Sequence, residues 1–131
     1  MVPWDAGATV LNPDKRVIEG DRESPLNKDF YTNLKAQGWW ELRNRFYRTW
    51  RAVTQGAEYD VATLISIDPG MERLRQLEKE LCQVTAGRGA RLKLMIDKTP
   101  PGTKSPNLGD AVMMCYWPLK SGYDLVRFLR G

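Results

Sequence analysis

Histidine is absent from the 131 residues. That removes a histidine general base, a Ser-His-Asp triad and imidazole metal ligands, so any metal must be held by oxygen, which favours Mg²⁺ or Mn²⁺ over zinc. Cysteine occurs twice, at Cys82 and Cys115. The two are far apart in sequence and match neither a zinc nor a redox spacing; the expectation is two reduced, buried thiols in a cytoplasmic protein. No apolar run approaches the roughly 20 residues that span a membrane. The N-terminal stretch carries Asp5 and lacks an apolar core, so no signal peptide is expected. Gly87-Arg88-Gly89 is not followed by Lys-Ser/Thr at the spacing of a Walker phosphate loop, so no nucleotide site is read there. Internal repeats and low-complexity tracts are missing too.

The length suits one domain. Hydrophobic residues make up 42%, enough for a modest core, and five tryptophans supply large packing units or interface aromatics. The net charge of +4 and pI of about 9.2 tilt the chain toward an anionic partner.

A short strand is expected around Ala8 to Leu11, then a Pro- and Gly-containing loop over 12–29. Residues 30–54 make the strongest helix: Trp39, Leu42, Phe46, Trp50 and Val53 form one stripe. Glu41, Asn44, Arg45, Arg48 and Arg51 lie opposite, as a solvated basic face or a DNA backbone track. Trp40 and Tyr47 share a flank, and Gly56 is a natural stop. Residues 59–67 are too short to assign between strand and helical turn. Asp68-Pro69 reads as cap and first residue of a helix over about 69–84, striped by Met71, Leu74, Leu77, Leu81 and Val84 and broken by Ala86-Gly87-Arg88-Gly89. A strand over 91–97 would put Leu92, Leu94 and Ile96 on one face. A last short helix is expected from Tyr123 to Leu129.

The chemistry concentrates between Arg91 and Met114. A strand ending in Asp97-Lys98 leads through Thr99-Pro-Pro-Gly-Thr-Lys104 into Ser105-Pro106-Asn107-Leu108-Gly109-Asp110-Ala111. Ser105 suits an N-cap and Pro106 a first helical position. Helix 106–117 would then show Leu108, Val112 and Cys115 on one face and Asp110 on another, with Pro118 ending it. A carboxylate near a helix mouth is a plausible metal ligand, and the flanking Lys98 and Lys104 could hold phosphate. The competing reading makes Asp110 a dipole-stabilising surface acid and both lysines ordinary solvated side chains. Asp97 could support a metal or simply solvate a strand end. Arg88 is a further phosphate candidate; Asp5, Asp14 and Asp21 read as loop acids.

This segment resembles the C-terminal end of the nuclease domain of the large terminase subunit of tailed bacteriophages, where a strand ending in lysine precedes Ser-Pro-Asn/Asp-Leu-Ala-Asp-Ala. Val2 to Val10, the helix from Asn27 through Trp39-Trp40 and the helix around Leu74 to Leu81 extend the resemblance over nearly the whole chain. It implies an α/β fold, an incomplete RNase H-like nuclease domain that is helix-rich with a few strands, over 1–131. It also implies a two-metal endonuclease, a hydrolase that cuts concatemeric double-stranded DNA during phage or prophage DNA packaging in the bacterial cytoplasm. Asp110 would be a catalytic Mg²⁺ or Mn²⁺ ligand and Lys98 a phosphate neighbour; the small terminase subunit and the portal would be partners. Gly109 stands where alanine is usual, which should weaken the helix by roughly 1 kcal/mol.

The resemblance also implies a fragment. The family's packaging ATPase and its first nuclease acids match nothing here, so the expectation is little or no activity alone. A homo-oligomer joined through an exposed sheet edge is one way for such a chain to close its core. The alternative function is a non-enzymatic prophage remnant that binds DNA or protein.

Overall fold

The computed structural model describes residues 5–116. The elements in order are α1 (Asn27–Phe30), α2 (Leu34–Gln55), α3 (Leu74–Gln83), β1 (Thr85–Arg88), β2 (Leu94–Asp97) and α4 (Asn107–Cys115), with single 3-10 turns at Val61–Thr63 and Ala90–Leu92. The architecture is mixed helix and strand. The expected terminal helix at 123–129, the stop at Pro118 and the first residues of the Val2–Val10 segment lie outside the described residues.

Helix α2 begins where Asn33 accepts a hydrogen bond from the Ala36 N–H at 3.0 Å and ends at Gly56, whose φ of 64° is the left-handed cap that glycine adopts at little cost. Its start is also covered from outside. The Leu34 and Lys35 N–H groups donate to the Ala8 and Ala6 carbonyls, and Gln37 exchanges two hydrogen bonds with the Leu11 backbone. These bonds explain why the strand expected at Ala8–Leu11 does not form: its backbone groups are used by a helix end instead of a ladder.

The apolar stripe of α2 is only half used. Trp39 and Leu42 are 5% and 2% exposed, but Trp50 and Val53 are 51% and 79% exposed. The elements that pack on α2 are β2 and α4, and the stripe outruns what they cover. Trp39 and Leu42 join Val10, Tyr31, Ala36, Ile65, Leu94, Ile96 and Met113 in a core of modest size.

Helix α3 starts five residues later than the sequence suggests. The Asp68 carboxylate accepts from the Gly70 N–H at 2.8 Å, closing Asp68-Pro69-Gly70 as a turn rather than opening a helix. Strand β1 falls where the pattern reads only as a helix break. All four of its residues are exposed, so no apolar alternation marks it; the backbone ladder to β2 holds it, with Thr85 opposite Asp97 and Arg88 opposite Leu94. On its other side β2 meets the α1–α2 connection, where the Thr32 N–H donates to the Leu94 carbonyl at 2.9 Å. The outer edge of β1 is therefore the unpaired edge of this small sheet among the described residues.

In β2, Leu94 and Ile96 face the core as expected, but Leu92 does not: it is 77% exposed. Arg91 and Leu92 both have positive φ, 57° and 59°, because the tight β1–β2 connection needs left-handed residues and here takes them without glycine or asparagine.

Candidate functional site

Helix α4 presents Pro106, Gly109 and Met113 inward, all buried. The expected inward face of Leu108, Val112 and Cys115 is rotated: Val112 packs at the margin of the core, and both Cys82 and Cys115 are exposed free thiols rather than buried ones. The rotation follows from Gly109. A Cβ there would come 2.8 Å from Cη2 of Trp39, so only glycine lets α4 lie this close to α2. Gly109→Ala is accordingly expected to destabilise the fold by about 1–3 kcal/mol through overpacking, outweighing the gain of about 1 kcal/mol in helix propensity; urea unfolding of the pair checks the sign.

Ser105 gives no side-chain cap to α4. A carboxylate from another helix reaches the first turn instead: Oε2 of Glu80 accepts the Gly109 N–H at 3.0 Å. The next residue is Asp110. Its carboxylate receives Nζ of Lys98 at 2.7 Å on Oδ2 and 3.0 Å on Oδ1, and Nε1 of Trp39 at 3.2 Å on Oδ1. The lysine and aspartate side chains are 22% and 20% exposed. Charge-assisted hydrogen bonds of this kind contribute about 1.5–3 kcal/mol when shielded, and less here because water reaches the pair. Gln83 secures the connection between the partners: its amide donates to the Lys98 and Lys104 carbonyls, each at 2.7 Å.

The other sequence candidates do not converge on this point. Asp97 is exposed and accepts the Thr99 N–H at 2.9 Å, an arrangement that closes a turn. Lys104 is exposed and is bound through its carbonyl. The Arg88 guanidinium lies 5.6 Å above the Phe30 ring. The Asp5, Asp14 and Asp21 carboxylates serve Gly7, Lys28 and Glu23 in the N-terminal turns.

The basic face of α2 is not simply solvated. Arg45 donates to the Ala62 and Leu64 carbonyls, Arg48 to the Thr63 carbonyl, and Arg51 to the Tyr59 hydroxyl. These arginines hold down the 59–65 segment, whose backbone otherwise lacks a ladder. Partial burial, reinforced by the Arg48 charge, lowers the pKa of Arg45 from its ordinary value. Tyr31, almost fully buried beside Glu41, has its hydroxyl pKa raised, chiefly by that burial.

Among the described residues no group of three or more His, Cys, Asp or Glu side chains comes together. Asp110 thus offers a cation one carboxylate and belongs to no such cluster of acids among the described residues. Its donor chemistry suits Mg²⁺ or Mn²⁺, and Oδ2 carries only the Lys98 contact among the described residues, but further oxygens must come from elsewhere. Glu80, Gln83 and Trp39 escaped the sequence reading of the site. The helical stripe marks Trp39 as core alone, and a Glu and a Gln three residues apart on a helix look like any solvated pair.

The described fold is similar to phage terminase nuclease domains of known structure. The nuclease domain of the large terminase subunit gp2 of bacterial virus Sf6 matches with a TM-score of 0.77 and 28% identity, over 88% of this chain and 52% of that one. A lysine-to-alanine mutant of that domain with manganese and beta-thujaplicinol matches at a TM-score of 0.76, and a mutant form with calcium at 0.75, both at 28% identity and with the same coverage. The chain therefore spans about half the length of these relatives. No family model matches the sequence, and no curated protein matches it. No helix among the described residues is long and apolar enough to cross a membrane.

Proposed function

We propose that the chain forms the C-terminal portion of an RNase H-like nuclease domain in a phage or prophage terminase large subunit. In the complete enzyme it helps cut concatemeric double-stranded DNA during packaging, alongside the small subunit and the portal. Asp110 is one of the acids that hold Mg²⁺ or Mn²⁺, and acids outside residues 5–116 complete the set. Asp110 would contribute one carboxylate to a pair of divalent ions, whose chemistry would be activation of water and stabilisation of the leaving oxygen of a phosphodiester. Lys98 holds the carboxylate in place and keeps its positive charge beside the path of the phosphate.

The observation that supports this reading is the likeness of the chain to the Sf6 nuclease domain, at 28% identity and a TM-score of 0.77. The partly buried pairing of Asp110 with Lys98 supports it, since an acid serving only the helix dipole needs no such anchorage. The remnant reading, DNA binding through the arginine face of α2, loses support because Arg45, Arg48 and Arg51 are engaged within the fold.

Plasmid nicking tests the proposal. With Mn²⁺ the isolated chain is expected to leave supercoiled DNA intact, because one acid cannot hold two metal ions. Robust nicking that Asp110→Ala abolishes would overturn the claim that the ligand set is completed elsewhere.

A further inference from the structure

We infer that helix α3 is the positioning device for Asp110, acting through Glu80 and Gln83. The two residues sit three apart and so share one side of the helix. Glu80 is 9% exposed. Its Oε2 takes the Gly109 N–H at 3.0 Å, and its Oε1 takes the Gln76 amide at 3.3 Å. Gln83 binds the Lys98 and Lys104 carbonyls. Helix α3 thus grips three points: the residue before the acid, the residue whose ammonium meets the acid, and the far end of the loop between them.

A packing role alone does not account for Glu80. It lies near Leu77, which is 1% exposed, on the helix that packs against α4. A nearly buried carboxylate there is costly unless it is hydrogen-bonded, and an apolar side chain would pack at least as well. What the carboxylate adds is a fixed link to one amide in the first turn of α4, at the end of the helix dipole that favours negative charge. The loop that Gln83 spans carries Pro100, Pro101 and Gly102, and its residues from Pro101 to Ser105 are exposed, so the Gln83 amide supplies an anchor that apolar packing does not. A ligand that shares a cation must be held to within about 0.5 Å, and these two side chains provide that restraint without touching Asp110.

The cation half of this inference rests on the metal-ligand reading; the geometric half stands without it. Nuclear magnetic resonance of the full chain separates them. The indole N–H of Trp39 reports the hydrogen bond to Asp110, and its broadening by Mn²⁺ reports a cation at that carboxylate. At a temperature where each variant is folded, Glu80→Ala is expected to shift the indole resonance and to lower the apparent Mn²⁺ affinity about tenfold, as for outer partners of metal ligands. Glu80→Gln keeps a side-chain oxygen and is expected to restore both. A lower Tm in Glu80→Ala with the indole shift and Mn²⁺ response unchanged would overturn the inference. If the unsubstituted chain shows no Mn²⁺ broadening at Trp39, the metal reading falls and the indole shift alone decides the positioning. If Glu80→Ala does not fold, Gln83→Ala, which loses only two loop contacts, is read in the same way.

Discussion

Trp39→Ala is expected to destabilise the chain by about 3–5 kcal/mol, the range for truncating a buried tryptophan. That is a large share of the roughly 5–15 kcal/mol that holds a typical domain together. Three features place Trp39 at the top of its range. It is 5% exposed within the core. Its ring is the surface on which Gly109 rests. It also lines a largely apolar, solvent-open pocket of about 210 Å³ shared with Leu42, Phe46, Leu81 and Ile96, so truncation would open the core to water along that side. Urea unfolding measures the loss. Trp39→Phe keeps most of the bulk but forfeits the N–H to Asp110, so it should cost clearly less stability while still disturbing the carboxylate.

Asp110→Asn separates fold from chemistry. The amide is nearly isosteric and its oxygen can still accept from Trp39, so the substitution is expected to fold. Its neutral group is a poor ligand for a hard cation that prefers carboxylate. In the complete nuclease the change is expected to reduce metal-dependent DNA cleavage by at least about 100-fold, since even outer-shell partners of metal ligands are worth 10–100-fold. A plasmid-cleavage time course with Mg²⁺ and with Mn²⁺ checks this. Asp110→Ala should add a loss of stability, because Lys98 and the Trp39 N–H both lose their acceptor in a place only about one-fifth exposed.

The sequence marks some of these elements clearly and others not at all, for reasons that differ by element. Helix α2 is legible because its apolar period is strong and Gly56 stops it. The Pro/Gly loop and α4 are legible because Ser-Pro before an apolar run is a helix-start signal; yet the true cap comes from Glu80, distant in sequence, which no local pattern can reveal. Strand β1 is invisible because its four residues are exposed and its ladder is purely backbone. The inward face of α4 is hidden in the sequence because the small side of the helix, Gly109, packs on a tryptophan, whereas hydrophobic patterning looks for large residues. Arg45 and Arg48 read as a solvated face because their acceptors are carbonyls, which every residue carries and no sequence displays. Asp110 could be picked out, but its anchorage by Lys98 and Trp39 is a tertiary fact: Trp39 lies 71 positions away.

The central claim is that Asp110 is a cation-holding acid. Titrating the isotopically labelled chain with Mn²⁺ and following all tryptophan indole resonances tests it most directly. The account predicts that the Trp39 resonance broadens ahead of the exposed Trp50 indole and that Asp110→Asn removes this preference. Equal broadening of the two, or a Trp39 response unchanged by Asp110→Asn, would contradict it.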